Sequence, residues 1–243
     1  MPKIKKPANQ HPIPNNPVNN NQPLALINFI LDKSGSMSSI KEATISGFNE
    51  YKNDQANQPG NTFLSLTTFD TSFNIIHSAE DIHKVTDLDT GNYVPGGMTA
   101  LYDAIGFTLE KLEENIKKLP RTPDSVLFVI MTDGEENSSR EYDKDKIKKL
   151  IEESEKDKGY TFVYLGANQD AWNVGASFGI RAGNTLSYNA DSDDVSKVMC
   201  SLSSATTRYR DAYTNLDSDV DKNLVSQNFW ADDEDVKKED KKD

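Results

Sequence analysis

Three short polar stretches hold the residues best suited to chemistry. The first, Asp32-Lys33-Ser34-Gly35-Ser36, sets one carboxylate and two hydroxyls at alternate positions. It directly follows LALINFIL (24–31), in which Asn28 is the one polar residue. The second is Gly96-Gly97-Met98-Thr99. The third, Thr132-Asp133-Gly134, directly follows another apolar run, SVLFVIM (125–131). Only oxygen is on offer as a donor: the hydroxyls of Ser34, Ser36 and Thr99, and the carboxylates of Asp32 and Asp133. The single cysteine, Cys200, and the three histidines, His11, His77 and His83, fall elsewhere in the pattern. An oxygen-only set suits a hard divalent cation, Mg²⁺ first, with Mn²⁺ or Ca²⁺ as substitutes. Mg²⁺ demands octahedral geometry and usually keeps several waters. The formal charge of the two carboxylates balances the ion. Where they act through water, the directly bound groups are mostly neutral, and the ion remains open to one anionic oxygen from outside.

Such a site needs elements that bring the three stretches to one place. LALINFIL and SVLFVIM are continuous apolar runs, as expected of parallel strands buried on both faces. Ile40, Ala43, Thr44, Gly47, Phe48 and Tyr51 recur at helical spacing, with Ser39 and Glu42 as an expected capping box. NTFLSLTTF and SFNIIHSA, joined at Asp70-Thr71, predict an antiparallel hairpin at a sheet edge. A loop over about 80–98 leads to a helix carrying Leu101, Ala104, Ile105, Thr108, Leu112, Ile116 and Leu119 on one face, ended by Pro120 and Pro123. A charged helix near 143–158 stops at Gly159, and YTFVYLG (160–166) is another strand. A short helix with Trp172, expected to pack inward, precedes a strand near 183–188. The last helix, about 191–213, begins with Asp191 and Asp194 at its positive end. The alternation predicts an α/β, Rossmann-like doubly wound sheet of six strands, mostly parallel with one antiparallel edge strand, and helices on both faces. In such sheets ligands bind beyond the carboxyl ends of strands, where the strand order reverses.

Rival chemistries fail on residue type. An EF-hand starting at Asp32 needs Gly and Glu where Met37 and Ala43 stand, and one starting at Asp217 meets Lys222 and Asn228. There is no G-x-x-x-x-G-K-[ST] phosphate loop. Aspartyl phosphotransferases typically carry a second acid where Ser34 stands. No histidine falls near Ser34 or Ser36 to build a hydrolase triad. Glu135 and Glu136 read as a solvated helix start.

Asp-x-Ser-x-Ser after a buried strand, GGMTALYDAI opening a helix and MTDGEEN after a second buried strand together resemble the von Willebrand factor A domain over about residues 24–213. The resemblance implies a metal-ion-dependent adhesion site. Ser34, Ser36 and Thr99 would bind the cation directly and Asp32 and Asp133 mainly through water, with a partner carboxylate as the last ligand. The function implied is a protein-protein interaction module rather than an enzyme. The alternatives are a regulatory subunit of an ATPase or chelatase-like assembly, a metal hydrolase, or a structural component of a larger assembly.

The remaining segments read as appendages. Residues 1–23 hold six of the ten prolines among Asn and Gln and predict an extended arm. Residues 214–243 read as an acidic, irregular tail in which Phe229 and Trp230 are expected to dock, on the domain or on a partner. The net charge of −12 repels nucleic acid. No apolar run is long enough to span a membrane and no signal-type segment opens the chain. With one cysteine, these features lead us to expect a cytoplasmic protein of bacterial or phage type. Oligomeric state has no signature in the sequence.

Overall fold

The computed structural model describes residues 21–167, 171–215 and 219–230. The arm to residue 20 and the tail from 231 lie outside them.

β1 (Leu24–Asp32) is buried along its whole length, because it pairs on both sides and is covered on both faces. It runs parallel to β2 (Asn61–Phe69) on one side and to β4 (Ser125–Thr132) on the other. β5 (Thr161–Ala167) and β6 (Thr185–Tyr188) continue the parallel sheet beyond β4. β3 (Phe73–Asp81) turns back against β2 as the antiparallel edge, so the order is β3-β2-β1-β4-β5-β6. The turn between β2 and β3 is closed by Asp70, whose carboxylate accepts from the Ser72 N–H at 2.8 Å.

Alternation along the strands creates two cores. Ile27, Phe29 and Leu31 of β1 face α1 (Lys41–Asn57) and α5 (Ser192–Asn215), meeting Phe48, Tyr51, Val195, Met199 and Leu202. Leu24, Leu26 and Ile30 face α2 (Leu101–Ile116) and α3 (Lys144–Lys158), meeting Leu101, Ala104, Ile105, Ile147 and Ile151. Each such side chain contributes roughly 1.5–3 kcal/mol on burial. A one-residue slip of β1 would exchange its two faces, so the end of β1 is held in register.

Local signals set the helix ends. Asp143 caps α3, its side chain accepting from the Lys146 N–H, and Gly159 ends it in the left-handed conformation at φ 67°. Asp191 accepts from the Asp194 N–H at 2.9 Å at the start of α5.

Three expectations are corrected. Ser39 and Glu42 form no capping box: a 3₁₀ turn, Gly35–Ile40, leads into α1, and the Ser39 hydroxyl bonds back to the Ser36 carbonyl. Trp172, on the short helix α4 (Ala171–Ser177), is 47% exposed rather than packed inward. The stretch after 215 is not wholly irregular, because it contains α6 (Asp219–Gln227). Beyond it Phe229 and Trp230 are buried on the domain, with the Trp230 backbone N–H donating to the Gly183 carbonyl.

The strand order reverses at β1. The chain passes from β1 to β2 on one side and later enters β4 on the other, which opens a crevice between the carboxyl ends of β1 and β4.

Candidate metal centre

Asp32 is the last residue of β1 and is fully buried. One carboxylate oxygen accepts from the Ser34 N–H at 2.6 Å and the other from the Thr132 hydroxyl at 2.5 Å. Ser34 lies just past β1 and Thr132 ends β4, so the carboxylate is tied across the crevice. The Ser34 and Ser36 hydroxyls are 3.1 Å apart. Ser36 donates to Asp133, just past β4, at 2.6 Å. Thr99 precedes α2, and its hydroxyl reaches the same place. A Cβ built on Gly134 would lie 3.2 Å from Thr99 Oγ1 and 3.6 Å from Ser36 Oγ. All five residues singled out by sequence therefore converge on one rim, and Gly134 keeps its centre free of side chain.

Electrostatics mark the rim as anionic. Burial pushes the Asp32 carboxyl up to about 6, against the lowering effect of the Thr132 and Ser34 hydrogen bonds. Burial also raises Asp133, opposed by Ser36. The nearest cation does not relieve them. Lys33 pairs with Asp70, whose carboxyl stays below its usual range because that ion pair and the Ser72 contacts outweigh burial. Among the described residues neither Asp32 nor Asp133 takes part in an ion pair.

Several residues that sequence reasoning missed hold the donors in place. The Tyr93 hydroxyl donates to the Asp32 carbonyl at 2.6 Å from a fully buried ring. The Tyr188 hydroxyl donates to the Thr132 carbonyl at 3.4 Å. Asn137 accepts from the Thr99 N–H at 2.9 Å, and the Thr99 carbonyl accepts from the Asn137 and Ser138 N–H groups. Glu136 is no solvated helix start. It accepts from the N–H groups of Tyr102, Ser138 and Ser139, clamping the third stretch to the start of α2. Gly97, at φ 75°, lies where a Cβ would sit 2.8 Å from the Thr71 hydroxyl, so only glycine fits there. Acidic and amide residues beside the motifs are the visible signal for Glu136 and Asn137. The tyrosines carried none, since their partners are backbone carbonyls far away in sequence.

The donor chemistry passes a fit test for a hard cation. Two carboxylates without a counter-ion stand beside three hydroxyls, all of them oxygen. No cluster of three or more His, Cys, Asp or Glu suited to a metal occurs among the described residues, so any ion held here rests on hydroxyl donors.

Fold and rim together define the class: a doubly wound α/β domain with an oxygen-lined crevice at its switch point. The model of the von Willebrand factor type A domain family matches residues 27–204, and the chain belongs to that family. Domains of this family are generally protein-interaction modules and often bind a divalent metal. No curated protein matches the sequence. Among solved structures, proximal thread matrix protein 1 from the mussel byssus is similar at 17% identity and a TM-score of 0.53, in a form with a zinc-occupied MIDAS motif. The match covers 76% of this chain and 46% of the mussel one. A mutant of the PilB minor pilin from Streptococcus sanguinis is similar at 13% identity and a TM-score of 0.53, covering 82% and 64%. The ArnB paralog VWA2 from Sulfolobus acidocaldarius is similar at 18% identity and a TM-score of 0.51, covering 75% and 44%. This chain thus spans about half the length of the mussel and archaeal proteins, and at these identities the likeness is one of fold. No described helix is long and apolar enough to cross a membrane.

Proposed function

We propose that the rim is an intact metal-ion-dependent adhesion site that takes Mg²⁺ and, through it, a carboxylate of another protein. Ser34, Ser36 and Thr99 would hold the ion, with Asp32 and Asp133 as the balancing anions. The observation that carries this reading is Asp32: a fully buried carboxylate, held by two hydrogen bonds and left without a cation. When bound, the ion supplies a positive centre that accepts one further anionic oxygen. The chain's own residues orient the donors, keep Gly134 clear and shield the crevice floor. The net charge of −12 repels acidic proteins that lack a complementary fit.

In this reading the domain is a binding module and not an enzyme. Asp32, the most perturbed carboxylate of the rim, is locked between Ser34 and Thr132 and poorly placed to move a proton. A cytoplasmic setting in a bacterium or phage-infected cell, where Mg²⁺ is plentiful, accords with it.

Calorimetric titration of the full chain with Mg²⁺ and Mn²⁺ tests the proposal. Binding at one site is expected, weakened by roughly 10- to 100-fold in Asp32→Ala. Capture of a partner from host lysate should then fail in EDTA and in that variant. A chain that binds neither ion, or that captures its partner equally well in EDTA, overturns the reading.

A further inference from the structure

Beside the candidate metal centre lies a second feature, a cavity of about 200 Å³ lined by Thr71, Ser72, Phe73, Ala100, Asp103, Ala104 and Phe107. It sits between the β2–β3 turn and the first turns of α2. One wall is Ala100, the residue that follows Thr99 in the chain. The two sites are held together. The Ala100 N–H donates to the Asp70 carbonyl at 2.8 Å, and the Met98 N–H donates to the Thr71 hydroxyl at 2.9 Å.

The polar groups of the cavity are already engaged. The Asp103 carboxylate accepts from the N–H groups of Arg140, Glu141 and Tyr142. The Ser72 hydroxyl donates to Asp70 at 3.0 Å, and the Thr71 oxygen accepts from Met98. What remains for a ligand is mainly aromatic: the rings of Phe73 and Phe107, stacked with centroids 4.5 Å apart, over a floor closed by the buried Ala100 and Ala104. Phe73 is 38% exposed at the mouth, and Met98, on the metal-side lip, is 51% exposed. Phe73 and Met98 thus add exposed apolar surface beside the anionic rim.

We propose that this cavity is the specificity pocket of the adhesion site: the partner presents an aspartate or glutamate with a leucine- or phenylalanine-sized side chain one or two residues away. The carboxylate meets the ion and the apolar side chain enters the pocket. The volume admits one such side chain and excludes a helix or strand. This inference rests on the metal-site reading and adds the sequence class of the ligand.

Fluorescence polarisation with the full chain separates the two. Four labelled peptides are compared in Mg²⁺ and in EDTA: Asp followed by Leu, Asp followed by Gly, and the same pair with Asn in place of Asp. The expected result is Mg²⁺-dependent binding of both Asp peptides, with the Asp-Leu peptide tighter by about tenfold or more. Phe73→Ala, and Ser72→Phe filling the pocket from its lip, should each reduce that preference to near unity. Equal affinity of the Asp-Leu and Asp-Gly peptides for the unaltered chain overturns the pocket and leaves the metal site standing. Absence of Mg²⁺-dependent binding by either Asp peptide overturns both. A preference for leucine that persists in EDTA or in the Asn peptides overturns the coupling of pocket to ion.

Discussion

Asp32 and Arg210 are ionised side chains taken almost wholly out of water, and the protein treats them in opposite ways. The Arg210 guanidinium, on α5, donates to the Gln55 carbonyl at 2.9 Å, the Gln55 side-chain oxygen at 3.0 Å and the Pro59 carbonyl at 2.9 Å. Burial lowers its affinity for the proton, but guanidinium remains charged throughout the accessible range. Gln55 in turn reaches Ser203, and Tyr51 reaches Thr206, so the whole patch between α1 and α5 is closed. Asp32 accepts from Thr132 and Ser34 but has no cation beside it among the described residues, and burial dominates its proton affinity. A buried charge surrounded by oriented dipoles is structural; one left short of partners points to a ligand.

That contrast is open to attack by experiment. The largest effect is expected from Arg210→Ala, which strands the Gln55 and Pro59 carbonyls. Urea unfolding should show a loss of about 3 kcal/mol, with Mg²⁺ affinity unchanged by calorimetry. A large change in affinity would mean that the two regions are not separate.

The next effect concerns pH. Asp32 binds its proton more tightly folded, at about 6, than unfolded, at about 3.9. Its carboxyl therefore favours the metal-free fold below about pH 4, and that contribution is lost as pH rises through 6. Other carboxyls, such as Asp70 and Asp124, are depressed and act in the opposite sense. The comparison is thus with Asp32→Asn. Relative to that variant, the metal-free chain should lose about 2 kcal/mol between pH 4 and 7, and saturating Mg²⁺ should restore it. Parallel stability curves for the two proteins would show that Asp32 carries no unbalanced charge.

Thr132→Val removes a donor to Asp32 and leaves the proposed ligand hydroxyls in place. Mg²⁺ should bind about tenfold more weakly, with unfolding free energy in chelator little altered. The smallest effect is expected at α3, away from both regions. Asp143→Ala removes a helix cap and should cost about 1 kcal/mol by denaturation, with no change at the metal centre.

Much of the architecture was legible because its causes are local. The apolar runs of β1 and β4, the 3.6-residue stripe of α2, and the left-handed stop at Gly159 each act within a few neighbours. The five candidate donors were legible for a related reason: each lies in a polar break directly after a buried strand or before a helix. The capping pair Ser39/Glu42 was misleading, since the 3₁₀ turn that follows Ser34 and brings Ser36 to Asp133 takes the place of a simple helix start. Trp172 was misleading as well. Its size suggested a core residue, but Phe178 and Ala171 fill that part of the core and leave the indole outside.

The order of apolar and polar residues determined, unaided, that this chain alternates strands with helices and that oxygen donors stand at the strand ends. Those properties follow from periodicity and side-chain chemistry, which need no knowledge of distant neighbours. Only the folded structure decided that Asp32 is sealed from water, that Lys33 is spent on Asp70, and that Tyr93, Asn137 and Glu136 fasten the rim. It alone placed an apolar cavity one residue from Thr99. These are contacts across tens of residues, and they exist only once the sheet has brought the ends of β1 and β4 side by side.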